Sequence, residues 1–213
     1  WFDENESCSQ SFAAPGDFYR AHCEFAGRRA KRLPLKPVLR QADLVNVAPL
    51  SNSADAVTEA VAEALHREML TLHSAHHQQH DSGKTVSLGL VRMANINPLA
   101  ATAQALMQIP SPAGYCLHYC VYHGQHPLAV RSHIEKRLDA AFTRHDERAL
   151  WQQPEIAEAI NHHSARHHLF VVLATSVVEV GRDWDADWGM IEPSSMRSLI
   201  QFAGRIQRHR QRA

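Results

Sequence analysis

The 213-residue sequence has no net charge, because 22 Lys and Arg balance 22 Asp and Glu. The chain as a whole is therefore no polycation, and any contact with nucleic acid has to come from local patches. Cysteine is scarce. Cys8, Cys23, Cys116 and Cys120 do not form a disulfide framework, which excludes the disulfide-stapled secreted class and points to a reducing, cytoplasmic setting. No apolar run is long enough to span a bilayer, and no charged segment followed by an apolar one marks a leader, so a membrane is not an expected partner. Internal repeats and low-complexity segments are also missing. What is present is ordinary for a soluble globular chain: 45% hydrophobic and 21% charged residues. The length suits one large domain, or a domain with an appendage, with a sizeable core. The sequence starts abruptly at Trp1 and stops just past an arginine-rich stretch, and is read as a piece of a larger protein.

Residues 1–50 are mixed and are expected to be a partly helical connector. A helical pattern over Asp17–Arg32 follows a Pro15–Gly16 turn, and the Pro-punctuated stretch 33–47 has room for a short strand near its end. From Ser53 to about His77 the spacing predicts a long helix with Val57, Val61, Leu65, Met69 and Leu72 on its apolar side. A regular alternation follows. Strands are predicted at 86–93, 115–122, 169–174 and 188–192. Helices are predicted at Pro98–Ile109, Pro127–Phe142, Pro154–His162 and again after Ser194 or Ser195, one of which serves as N-cap. LFVVLA (169–174) is apolar throughout, as befits a strand buried on both faces. Alternating strands and helices predict an α/β fold, a parallel β-sheet flanked by helices, over residues 51–213. Ligands on such sheets bind beyond the carboxyl ends of the strands.

The most distinctive stretch is QFAGRIQRHR (201–210). Read as a helix, it aligns Arg197, Gln201, Arg205 and Arg208 on one stripe, with Leu199, Phe202, Ala203 and Ile206 opposite. No Asp or Glu follows Arg197 to neutralise the arginines. A row of planar cations without a partner suits an anion, above all a phosphate. Spacing alone leaves a second reading open, a solvated basic helix end. Gly204 inside that helix would cost about 1 kcal/mol relative to Ala, which close approach of a ligand or another domain would explain. The other strand ends supply Arg92 to Asn95, then His123, Gly124, Gln125 and His126, and finally Thr175, Ser176, Glu179, Gly181, Arg182 and Asp183. Small hydroxyl and amide groups beside backbone N–H groups suit phosphate. Asp183, after a glycine turn, is placed to accept from ribose hydroxyls or to orient an arginine.

These stretches carry a resemblance. ATSVVEVGRDWD (174–185) resembles motif V of superfamily two helicases. QFAGRIQR (201–208) fits their motif VI pattern Q-x-x-G-R-x-x-R, and SLGLVRMANINP (87–98) is similar to the motif IV region. With YHGQHPLAVRSHIEKRLD (122–139) and IEPSSMRSLIQFAGRIQRHR (191–210), the chain resembles the CRISPR-associated helicase-nuclease of type I systems, the I-F branch above all, over roughly residues 50–210. The resemblance implies the second of two RecA-like domains, a C-terminal helicase lobe without its own P-loop. The two lobes clamp ATP with Mg between them and move along single-stranded DNA. It implies that Arg208 acts as arginine finger with Arg205 beside it and that Gln201 senses the nucleotide. Gly181, Asp183 and Gly204 would line the nucleotide side. Thr175, Ser176, Arg92, Asn95 and His123 would meet DNA phosphates. The parent would degrade foreign DNA, recruited by a guide-RNA surveillance complex, with the CRISPR integrase as a further partner. The divalent metal of the HD nuclease would lie on a separate domain. The sequence departs from the pattern at Gly124, at His126 and in the glycine of EVGRDWD.

Two signals point elsewhere. SGKT (82–85) imitates the end of a Walker A loop, but position 78 is Gln where that loop needs Gly, and SGKT runs into a strand rather than opening a helix. No acidic motif II strand accompanies it, so the fragment alone is expected not to hydrolyse ATP. The 16 histidines suggest metal. His73 and His77, like His76 and His80, stand at i, i+4, and His80-Asp81 and His145-Asp146 imitate an HD dipeptide. Without further ligands in evident reach they are read as solvated histidines at a helix end. Cys116, His118 and Cys120 point the same way along a strand, yet residues two apart there lie roughly 6.6 Å from each other. They are read as packed core, and no metal site is assigned. The rival readings are a RecA-like module that binds nucleic acid or protein without taking part in hydrolysis, and a His-dependent metal phosphohydrolase.

Overall fold

A computed structural model describes residues 11–31, 41–179 and 181–210. The chain divides into two compact units, 1–41 and 42–213. In the first, α1 (Pro15–Ala30) starts at the predicted turn, and Phe18 stacks on His22 one turn later. The expected strand near residue 47 is absent: residues 41–49 carry no regular structure, and 33–40 lie outside the described residues.

The second unit is a five-stranded sheet with helices on both faces. Its elements are α2 (Ala54–His76), β1 (Gln78–Gln79), β2 (Thr85–Arg92), α3 (Ile96–Gln108), β3 (Tyr115–Tyr122), α4 (Leu128–Phe142), α5 (Pro154–His162), β4 (His167–Ala174), β5 (Trp188–Ile191) and α6 (Met196–Ala203). β4 lies between β2 and β3, and both pairings are parallel. β5 adds to β2 in parallel, and the two residues of β1 pair antiparallel with its start. The parallel sheet predicted from the alternation is present, with strand ends within two residues of expectation.

Burial follows the pleat. Leu88, Leu90, Val172 and Ala174 face a core shared with Phe142 of α4, Ile156 and Ile160 of α5, and Phe202 of α6. Val91, Leu169, Val171 and Leu173 face the other core, with Met69 of α2 and Leu99 and Leu106 of α3. β2 is buried at every position because it has neighbours on both sides and helices on both faces. Helix starts are capped as the sequence indicates. Ser53 Oγ accepts from the Ala56 N–H at 3.2 Å, Ser195 Oγ accepts from Ser198 N–H at 3.1 Å, and Pro154 opens α5.

His73 corrects the reading of the histidine stretch. It is fully buried on the sheet side of α2, with Nδ1 2.7 Å from Ser87 Oγ and Nε2 3.0 Å from Thr85 Oγ1. Burial first, then the nearby His77, His167 and His168, push its pKa down to about 3, so the imidazole is neutral. Lys84 of SGKT meets no phosphate loop. Its Nζ donates to the Ile160 carbonyl at 2.6 Å and to the His163 carbonyl, capping the end of α5.

Trp188 lies across Gly89, its register partner, and donates Nε1–H to Ser87 Oγ at 3.0 Å. A Cβ at Gly89 would run into the Trp188 ring, which is 1% exposed and has no room to retreat. Gly89→Ala is expected to cost about 1–3 kcal/mol by overpacking and to lower the melting temperature by roughly 2–4 °C per kcal/mol. An unchanged melt would mean the ring is loosely held.

Candidate nucleotide and nucleic-acid edge

The carboxyl ends of the parallel strands bring the predicted segments to one edge. The ladder continues past the strands through Met93 N–H to Ala174 O at 2.9 Å, Glu192 N–H to Arg92 O at 2.8 Å and Thr175 N–H to Tyr122 O at 3.4 Å. Residues 92–95, 123–126, 175–179, 181–183 and the start of α6 therefore share this edge.

Arg92 is not presented to solvent. Its side chain is 5% exposed, its Nε donates to Glu179 Oε1 at 2.7 Å and its Nη1 to the Glu192 carbonyl at 3.0 Å. The expected phosphate contact is corrected to an internal brace. The same Glu179 oxygen accepts from Ser198 Oγ of α6, and the Glu179 carbonyl accepts from Arg205 Nη2 at 2.9 Å. Glu179 thus ties the end of β2, the turn after β4, α6 and the arginine segment together.

The arginine segment is not a helix. α6 ends at Ala203, and Gly204, with φ −65° and ψ −5°, closes it by donating to the Ile200 carbonyl at 3.1 Å. Gly204 therefore bears no helix-interior cost. The chain then turns and bends past residues 185–187. Ala186 N–H donates to Arg205 O and Gln207 N–H to Ala186 O, both at 2.8 Å, and Gln207 takes a left-handed φ of 45°. The single stripe through Arg197, Gln201, Arg205 and Arg208 breaks at this turn.

Nor are the arginines unpartnered. Alternate residues of RDWDAD, namely Asp183, Asp185 and Asp187, face them. Arg210 donates to Asp185 Oδ2 at 2.9 Å and to Asp187 Oδ1 at 2.6 Å. Burial pushes the Asp185 carboxyl up, but the Arg210 bonds and charge outweigh it and hold the group below the usual carboxylate range. Arg205 is 9% exposed, turned inward onto a carbonyl rather than a carboxylate, and its Nε is buried without a partner among the described residues. Burial, then the charge of Arg208, lowers its pKa. Arg208 differs from both. Its side chain is 45% exposed, with Nε 2.8 Å from Asp183 Oδ1.

Sequence comparison fits this geometry. The profile of the family described as CRISPR-associated nuclease/helicase Cas3, C-terminal, matches residues 85–211. The chain belongs to this family. It is similar to the CRISPR-associated nuclease/helicase Cas3 subtype I-F/YPEST of Pectobacterium atrosepticum, 59% identical over 99% of this chain and 19% of the relative. Its likeness to the protein of the same name from Pseudomonas aeruginosa is 46% over 99% of this chain and 20% of that relative. The chain spans about a fifth of the length of these curated relatives. The sheet flanked by helices is the RecA-like fold of the family's C-terminal helicase lobe.

Within that lobe the remaining predicted residues are placed as follows. Gly181 is exposed at φ +72°, a turn that favours glycine and turns the chain into Asp183. Asp183 forms an ion pair with Arg208 and is hydrogen-bonded at 3.1 Å to His209 Nε2, with His145 Nε2 3.4 Å from its other oxygen. The His209 bond, then the nearby charges, lowers its pKa. Ser176 and Asn95 are exposed, whereas Thr175 is 7% exposed, and its N–H is spent on Tyr122. His123 is half-buried and stacks on His126 with ring centroids 4.0 Å apart. Gln201 is half-buried on α6. Glu179, Asp185 and Asp187 are the organisers that the sequence did not single out as a set. Their signal was the alternation of acids in a buried segment.

Among the described residues, no helix is long and apolar enough to cross a membrane.

Proposed function

We propose that this chain is the second RecA-like lobe of an ATP-driven single-stranded DNA translocase whose parent also carries a nuclease and acts in CRISPR defence. The Asp183–Arg208 pair carries the proposal. It joins motif V to motif VI at the strand-end edge and leaves one arginine at the surface while its neighbours are locked inside. ATP with Mg, bound chiefly by a first lobe elsewhere in the parent, supplies the phosphoryl group and its charge. Arg208 supplies a planar cation for the γ-phosphate, and Asp183 fixes the guanidinium through Nε so that its far edge meets that charge. Arg205, held by the Glu179 carbonyl, sets the path of the segment. Gln201, Gly181 and Gly204 shape the nucleotide side. Ser176, Asn95 and His123 are the groups offered to DNA phosphates, with Thr175 and Arg92 beneath them as supports. A guide-RNA surveillance complex and the CRISPR integrase are the expected protein partners.

The test is Asp183→Asn in the intact parent. Freeing Arg208 from its carboxylate is expected to lower ATP turnover by up to about 10²-fold, the scale of an ångström misplacement of a catalytic group. Steady-state ATP hydrolysis in the presence of single-stranded DNA reads it. Full activity would mean that this pair stands outside the nucleotide site and would favour a lobe that binds without hydrolysis.

A further inference from the structure

At the other end of the sheet, on the face covered by α4 and α5, β3 and β4 bring Cys116, His118 and His168 together. Cys116 is the register partner of His168, and His118 follows two residues along the same face. One thiol sulfur and one nitrogen from each histidine lie within 4.8 Å of one another. His118 Nε2 is 3.3 Å from His168 Nδ1. His168 Nε2 is 3.1 Å from the Ala165 carbonyl, an acceptor, so that nitrogen carries the proton and Nδ1 presents a lone pair. The His118 ring is fixed by stacking on Phe170 at 4.2 Å and 7°. His163, the residue just past α5, places Nδ1 4.0 Å from Cys116 Sγ. The Lys84 bonds to Ile160 and His163 hold that helix end in place.

The spacing fits a known coordination geometry. Zinc–nitrogen bonds of about 2.0–2.1 Å give a tetrahedral edge of about 3.3–3.4 Å, and one sulfur with a bond of about 2.3 Å gives an edge of about 3.6 Å. The His118–His168 separation already matches, and Cys116 Sγ lies within 4.8 Å of both nitrogens, whereas His163 Nδ1 approaches only the sulfur. Burial, then the charges of His168 and His163, push the His118 pKa down to about 4, and burial above all lowers that of His168.

We propose that Cys116, His118 and His168 bind one zinc-class divalent ion in a tetrahedral site whose fourth position is taken by solvent. On binding, the Cys116 thiol releases its proton to solvent and the sulfur–metal bond forms; no electron is transferred. Three protein ligands leave one coordination position to solvent. The ion ties the sheet-edge strand β3 to β4. Six residues of strand, roughly 20 Å, separate Cys116 from the strand-end edge. The site is therefore independent of the proposed nucleotide chemistry.

The experiment strips the intact protein with a chelator under reducing conditions and titrates it with cobalt(II) as probe. A thiolate-to-cobalt charge-transfer band and strong tetrahedral ligand-field absorption are expected, saturating at one equivalent. Ions held elsewhere by oxygen and nitrogen give no thiolate band. Cys116→Ser is expected to lose the band, His168→Ala to lose the tetrahedral spectrum and Cys120→Ser to keep both. In unmodified protein, zinc is expected to protect Cys116, and not Cys120, from thiol alkylation mapped by peptide. A missing band at saturating cobalt, a band that survives Cys116→Ser, or equal labelling of Cys116 with and without zinc overturns the site.

Discussion

Replacing Arg208 with alanine is expected to lower ATP turnover of the intact protein by roughly 10³–10⁵-fold, the range an arginine finger supplies. The fold should scarcely register the change. The side chain is 45% exposed and its carboxylate partner among the described residues, Asp183, is 51% exposed. Exposed pairs of this kind contribute about 0–1 kcal/mol. Asp183 also keeps its bond with His209 at 3.1 Å, so it is not stranded by the loss. The two readouts therefore separate: turnover collapses while the melting temperature stays within a few degrees. Arg208→Lys sharpens the result. Lysine keeps the charge but not the planar fork that can touch Asp183 on one edge and a phosphate on the other, so turnover should stay far below that of the unmodified protein. Hydrolysis at the normal rate in the alanine variant would remove Arg208 from the reaction. It would leave the lobe as a DNA- or protein-binding module.

The features that the sequence revealed are those set by short-range pattern. LFVVLA announces a strand buried on both faces, and β4 is that strand. Pro154 and Ser195 mark helix starts because their chemistry is local. What stayed hidden depends on partners far away in the chain. QFAGRIQR has the period of an amphipathic helix, but the helix stops at Ala203 and the chain turns and bends towards Asp185 and Asp187, more than twenty residues upstream of Arg210. Arg92 looks like a strand-end cation until Glu179 is brought against it. His73 was the most readable of the missed residues. It follows Met69 by four on the apolar side of α2, which argues for a buried, hydrogen-bonded histidine rather than a solvated one. His118 and His168 are 50 residues apart and meet only because β4 lies next to β3. No spacing rule within one strand could show that pair.

The second large effect is on stability. Asp187 is 2% exposed and stands between two guanidinium groups. Arg144 Nη1 donates to both its oxygens at 3.1 Å, and Arg210 Nη1 to Oδ1 at 2.6 Å. Gln78 Nε2 donates to Oδ1 at 3.3 Å and the Leu88 N–H to Oδ2 at 2.7 Å. Each of these donors lies on a different element, so one carboxylate joins β1, β2, the stretch after α4 and the final segment. Arg144 is itself 1% exposed, and its Nε and Nη2 are buried without partners among the described residues. Burial lowers its pKa, and Asp187 is the first group opposing that shift. Asp187→Ala leaves that cation uncompensated in the core. Removing one member of a buried pair costs about 3–5 kcal/mol, and a domain of this size loses roughly 2–4 °C of melting temperature per kcal/mol. A fall of about 6–20 °C is therefore expected in a thermal melt of the protein. Asp187→Asn keeps a carbonyl oxygen for Leu88 N–H but not the charge, so it should fall between the two. A melt unmoved by Asp187→Ala would mean that solvent reaches Arg144 and that the acids of RDWDAD are not what sets the path of the terminal arginines.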